Sequence, residues 1–76
     1  MAKAYVRISV EAGREREVCG VFKRLPDVKS ADLTTGDQDI IAVIETSSYE
    51  TLLKTIVEEI RGIEGISSTS TSLVLD

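Results

Sequence analysis

Seventy-six residues, 42% of them hydrophobic and 29% charged, make one small globular domain, with no room for a catalytic domain beside a regulatory one. Nine basic against thirteen acidic residues leave a net charge of −4, which disfavours direct nucleic-acid binding, where Lys and Arg must neutralise phosphates. Without histidine, and with Cys19 as the single cysteine, the sequence offers no disulfide within the chain and no zinc, haem or iron–sulfur ligand set.

The opening Met1-Ala2-Lys3 runs straight into a strand. It is no signal-peptide core, and no apolar run reaches membrane length, so the chain is expected to be cytoplasmic. Lys3 to Val10 reads as that first strand, with Ala4, Val6, Ile8 and Val10 on one side and Tyr5, Arg7 and Ser9 on the other. Gly13 leads into a helix from about Arg14 to Leu25, in which Val18, Val21, Phe22 and Leu25 repeat at helical spacing and Pro26 marks the stop. Within it Cys19 reads as a small apolar side chain. Gly20 either weakens the helix or marks close packing against a sheet. Arg14, Arg16, Lys23 and Arg24, interleaved with Glu15 and Glu17, fit a solvated helix face.

Val28 to Thr35 reads as a second strand, and the Gly36–Asp39 turn joins it to a third in an antiparallel hairpin. The third strand, Ile40-Ile41-Ala42-Val43-Ile44, is apolar without alternation. That is the pattern of a strand covered on both faces. So short a chain supplies one cover from its own helices, and a second copy is expected to supply the other; small domains of this size commonly gain stability by oligomerising. Ser47-Ser48-Tyr49-Glu50 reads as a capping box, Ser47 accepting from the Glu50 amide. The helix it opens carries Tyr49, Leu52, Leu53, Ile56, Val57, Ile60 and Ile63 as an apolar stripe, and Gly62 or Gly65 ends it. Ser67 to Ser72 has linker composition, but Leu73-Val74-Leu75 follows and threonine suits strands, so a hydroxyl-rich fourth strand is expected.

The order β-α-β-β-α-β points to an α+β, ferredoxin-like fold: a four-stranded antiparallel sheet with two helices on one face and the other face open. The first and third strands take the middle. The whole chain, 1–76, is read as a single domain.

Catalysis has little to work with. There is no His to shuttle protons, no base beside Cys19 or any Ser, and no G-x-S-x-G elbow, so the chain is not expected to be an enzyme. Gly13-Arg14 and Gly62-x-x-Gly65 lack phosphate-loop spacing. A small-molecule site is better placed at the hairpin turn. Gly36 allows close approach to the backbone and its amide can meet a carboxylate. Asp37 or Asp39 can meet an ammonium group, and Thr35, Thr69 and Thr71 add hydroxyls, a set that suits an amino acid. A turn rich in Gly and Asp also needs no ligand to explain it.

Three segments in order carry a resemblance: Leu25-Pro26-x-Val28; Thr35-Gly36-x-x-Asp39 before an apolar strand; and Gly65-Ile66-x-x-Thr69-x-Thr71-x-Leu73-Val74-Leu75. With them the chain resembles, from first strand to last, the effector-binding (RAM) domain of the Lrp/AsnC transcriptional regulators. The resemblance implies dimers formed through the open sheet face, further assembly up to octamers, and amino acids bound where dimers meet. Carried over, the binding residues are Thr35, Gly36, Asp37, Gln38 and Asp39 of the turn, assisted by Thr69 and Thr71. The family often has an aromatic residue where this chain has Gln38, which favours a polar ligand such as glutamine or asparagine. Full-length regulators add an N-terminal helix-turn-helix domain. Met1 directly before the first strand marks this chain as a stand-alone version, expected to act as a homo-oligomeric sensor or as a partner of full-length regulators, without a cofactor, membrane or nucleic-acid contact of its own. The alternative expectation is a dimerisation or interaction module with no small-molecule ligand.

Overall fold

The computed structural model describes residues 1–36 and 38–75. Strand β1 (Ala2–Val10) leads to helix α1 (Glu15–Arg24), the hairpin β2 (Val28–Leu33) and β3 (Ile40–Thr46), helix α2 (Tyr49–Thr55), a π-helical turn (Ile56–Ile60), and β4 (Ile66–Leu73). The sheet is antiparallel throughout, in the order β2-β3-β1-β4, so the expected strands occupy its middle.

Alternation along β1 sends Ala2, Ala4, Val6, Ile8 and Val10 toward the helices, all of them buried. Ile40, Ala42 and Ile44 of β3 do the same beside them. Val18 and Phe22 of α1 and Leu52 and Ile60 from the second helical segment close the core from above, fully buried. Cys19 is buried too, its thiol donating to the Ala31 carbonyl at 3.6 Å, as a small apolar residue with a weak donor would. An added Cβ at Gly20 would meet only the tip of the Arg24 side chain, at 3.8 Å. Close packing against the sheet therefore does not explain this glycine.

The second helix departs from expectation in three ways. Its N-cap is Ser48, whose hydroxyl oxygen accepts from the Thr51 amide at 3.2 Å; the expected box from Ser47 to Glu50 is displaced by one residue. Ser48 has the extended backbone of a cap (φ −150°, ψ 158°), and its carbonyl accepts from the Thr46 hydroxyl at 2.6 Å. The last turn widens to π geometry, with the Arg61 amide donating to the Ile56 carbonyl at 3.3 Å. And only half of the apolar stripe is covered: Leu52, Ile56 and Ile60 are buried, whereas Tyr49, Leu53 and Val57 stay exposed. The reason is lateral position. The helix packs over β1 and β3, which covers only the side of the stripe turned to them; Leu53 and Val57 face water, and Tyr49 donates its hydroxyl to the Val74 carbonyl.

The face away from the helices is open. Facing partners across an antiparallel ladder share a side, so Lys3, Tyr5, Arg7 and Ser9 of β1 lie there with Ile41, Val43 and Glu45 of β3, Ser30 and Asp32 of β2, and Ser68, Ser70 and Ser72 of β4. The apolar part is a central island of Tyr5, Ile41 and Val43. Around it run charges and hydroxyls. Arg7 donates to Ser70 at 3.2 Å and Ser72 at 2.9 Å, and the Lys3 ammonium sits 5.4 Å from the Tyr5 ring centre.

Candidate functional site

The β2–β3 turn begins two residues earlier than the sequence indicates, since β2 ends at Leu33 and Thr34 and Thr35 belong to the turn. The Thr34 amide donates to the Asp39 carbonyl at 2.8 Å and its hydroxyl to the Gln38 carbonyl at 3.0 Å, closing the loop at its root. Gly36 takes a φ of +107°, a conformation that an L side chain resists. A Cβ there would meet nothing within 4 Å, so the space in front of the Gly36 backbone is open. Asp37, a candidate binding residue, lies outside the described residues.

Asp39 fastens the turn to the sheet. Its amide donates to the Ile8 carbonyl at 2.9 Å, and its carboxylate Oδ2 accepts from the Val10 amide at 2.9 Å. The Val10 amide needs that partner because it faces the β3 side of β1 beyond the last ladder pair, Ile8 with Ile40. Asp39 therefore has a structural task, and its second oxygen, Oδ1, has no hydrogen-bond donor among the described residues. Thr35 is exposed, and Gln38 and Asp39 are half-buried.

The structure thus brings Thr35, Gly36, Gln38 and Asp39 together. It sets Thr69 and Thr71 apart from them. These threonines pair with Ile8 and Val6 and share the helix-facing side of the sheet, on the edge strand. Two strand spacings, about 10 Å, separate β4 from β3. Among the described residues of one copy, the turn and the two threonines stand on opposite sides of β1.

A cavity of about 330 Å³ opens elsewhere, at the opposite end of the sheet, lined by Met1, Asp27, Lys29, Glu45, Thr46 and Ser47. Sequence reasoning gave these residues no ligand-binding role. The one signal available was the alternating charge of Asp27-Val28-Lys29 directly after Pro26.

Near the turn's end of the molecule, Arg14 pairs with Glu17 at 2.7 Å, Glu11 at 3.5 Å and Glu64 at 3.8 Å. The hydrogen bond and charge of Arg14 lower the Glu17 pKa, and Glu17 in turn raises that of Arg14. All of these groups are in contact with water, so the cluster is a surface feature rather than a reactive one.

Residues 3–76 match the family model of the Lrp/AsnC ligand-binding domain. The chain belongs to that family. It is 33% identical over 72 residues to the HTH-type transcriptional regulator FL11 of Pyrococcus furiosus, covering 95% of this chain and 47% of the regulator. It thus spans about half the length of that curated relative. It is also 39% identical over 71 residues to a homocitrate synthase of Sulfurisphaera tokodaii, covering 90% of this chain but 15% of the enzyme. Among solved structures, FFRP-DM1 superimposes with a TM-score of 0.95 at 35% identity, over 99% of this chain and 100% of that one. A Neisseria meningitidis transcriptional regulator, solved as a complex with L-methionine, shares the fold at 21% identity and a TM-score of 0.85, over 99% of this chain and 50% of that one. The Lrp/AsnC domain is a regulatory unit of transcription regulators. Among the described residues no helix is long and apolar enough to cross a membrane.

Proposed function

We propose that this Lrp/AsnC domain is a cytoplasmic amino-acid-sensing module that works as a homo-oligomer and does not itself touch DNA or catalyse a reaction. The observation that carries this reading is the turn. It is docked on the central strand by Asp39, while open space lies in front of the Gly36 backbone and Asp39 Oδ1 is left without a donor. An amino acid there would place its carboxylate toward the Gly36 amide and its ammonium group toward the Asp39 oxygen, with Thr35, Asp37 and Gln38 around the side chain. Thr69 and Thr71 join the site only from another copy, because one copy holds them on the far side of β1. The Neisseria regulator, with its L-methionine, supports the ligand class at the level of the fold.

Two copies would meet through the open sheet face. The Tyr5, Ile41 and Val43 island supplies apolar area. One row across the sheet reads Asp32, Ile41, Arg7, Ser70, so each copy offers both an anion and a cation to its mate. Such self-complementarity is what a two-fold interface requires. Dimers would assemble further, up to octamers, with ligand at the junctions. Ligand shifts that equilibrium only by binding one assembly state better than another. The module acts alone or by joining full-length regulators of its family, and the match to part of a homocitrate synthase supports a module usable away from DNA.

A second reading, an interaction module with no ligand, is favoured by one observation: the Asp39 carboxylate already has a structural task at Val10. Calorimetry with each of the twenty amino acids separates the two. The sensor reading expects saturable heat from at least one of them, and polar side chains foremost. Silence throughout, with the oligomer intact, leaves the interaction module standing.

A further inference from the structure

On the open sheet face the charges are sorted by strand. Both cations of the ladder, Lys3 and Arg7, stand on β1, whereas its anions stand beyond the sheet's centre, Glu45 on β3 and Asp32 on β2. Lys29, in the bulge of β2, is skipped by the ladder. Within one copy these charges leave each other unpaired: the ion pairs among the described residues all involve Arg14. This holds although Lys3 and Glu45 are direct ladder partners, and although Glu45 shares a cavity wall with Lys29 and with Met1 and its α-ammonium. Lys3 sits instead on the Tyr5 ring, and Arg7 turns sideways over β4 to donate to Ser70 and Ser72.

We infer that this pattern selects the mate: a second copy supplies Glu45 to Lys3 and Asp32 to Arg7, and a sheet without the same signs in the same places is turned away. The inference rests on the reading that two copies meet through the open face, and adds which side chains choose the partner.

Stacked sheets keep their strands within about 30° of one another, about 10 Å apart. A two-fold axis between them lies either across the strands or along them. Across them, each strand covers its own mate, so cationic β1 meets cationic β1 and the anionic strands meet themselves. Along them, between β1 and β3, β1 covers the partner subunit's β3 while β4 covers the partner subunit's β2. The overlap is as large, and rows are kept. Lys3 and Glu45 share a row, so Lys3 lies over Glu45 of the partner subunit. Asp32 and Ser70 end the row Asp32, Ile41, Arg7, Ser70, so Asp32 lies over Ser70 of the partner subunit, where that subunit's own Arg7 guanidinium is hydrogen-bonded. Symmetry makes each pair twice. Tyr5 meanwhile covers Val43 of the partner subunit, which closes the apolar island. Lys3, Arg7 and Glu45 are half-buried even in one copy, so a mismatched sheet would trap like charges against each other away from water.

The test is sedimentation of the intact chain as wild type, R7E, D32R and the double swap R7E/D32R. Positions 7 and 32 stand two strands apart in one copy, so reversal acts between copies. Each single variant should self-associate at least about tenfold more weakly, because like charges then face each other twice. An equimolar mixture of R7E and D32R should recover the dimer. The double swap should dimerise with itself, yet take up labelled wild type about tenfold less readily than its own kind. The set K3E, E45K and K3E/E45K repeats the experiment without touching the bonds from Arg7 to β4, and amide NMR spectra report that each variant is folded. Unchanged self-association in the single variants, or wild type and double swap mixing in statistical proportion, would overturn the proposal and leave the open-face dimer standing. A wild type that sediments as a single chain removes that dimer, and the proposal with it.

Discussion

Three glycines hold positive φ, and they are not equivalent. Gly36 stands in open space, so Gly36→Ala costs only backbone strain, about 1–3 kcal/mol. At Gly65, φ is +99° and a new Cβ would also fall 3.0 Å from Val18 Cγ2 and 3.2 Å from the Arg14 guanidinium. Gly65→Ala should therefore lose more stability than Gly36→Ala in urea unfolding. Gly20 is the opposite case, a helical glycine with no close neighbour; Gly20→Ala should stabilise by about 0.5–1 kcal/mol, read as a higher midpoint at constant slope. Asp39→Ala removes the acceptor for the Val10 amide and should cost about 1–3 kcal/mol even without any ligand. Loss of amino-acid binding in that variant is thus interpretable only beside its stability, whereas Thr35 and Gln38 can be changed without touching a bond to β1. Glu17 sets a pH signature. Its folded pKa is lowered by Arg14, so its contribution is complete above the ordinary carboxylate range and fades as pH falls through the lowered value. Glu17→Gln should flatten the acid limb of the stability profile by a small amount.

At the level of the elements, the second helix separates what sequence shows from what packing decides. Its period and its starting region are legible, because leucines and isoleucines recur at helical spacing after a serine pair. Which serine caps is not legible: Ser47 and Ser48 both offer a hydroxyl, and the choice falls to Ser48, held by Thr46. Ser48→Ala should cost about 1 kcal/mol, while Ser47→Ala should stay within about 0.5 kcal/mol, a contrast measurable by thermal unfolding. Nor does periodicity say which half of a wide apolar stripe meets the sheet, since that depends on the lateral position of the helix. The strands were more transparent. The β-α-β-β-α-β order, with which the unbroken apolar run of β3 agrees, placed β1 and β3 in the centre, and the hydroxyl-rich segment did pair as β4. The turn's glycine and aspartates were visible in the sequence, but not that Asp39 is bonded to β1. The far cavity escaped because its lining comes from the chain's opening residue, the α1–β2 and β3–α2 connections and two strand ends, none of them a ligand motif.

For the whole molecule, the proposed dimer rests on the open face. Its apolar island is small and sits inside a frame of charge and hydroxyl, so one lysine at its centre should suffice to split a dimer. Ile41→Lys, on the solvent side of β3, is expected to lower the sedimentation mass to that of a single chain with the fold retained. If Ile41→Lys leaves the mass unchanged, the subunits meet elsewhere.

The two outermost strands carry a consequence of their own. Each ends the ladder with backbone donors and acceptors that an incoming chain could extend, the route by which β-proteins run into fibres. On one margin the Lys29 bulge breaks the straight line of β2 and puts a cation there. On the other, β4 is serine and threonine from Ser67 to Ser72, so a strand added beside it would find little grease to stack upon. Growth sideways is thereby discouraged on both flanks, and association is steered toward closed, countable particles.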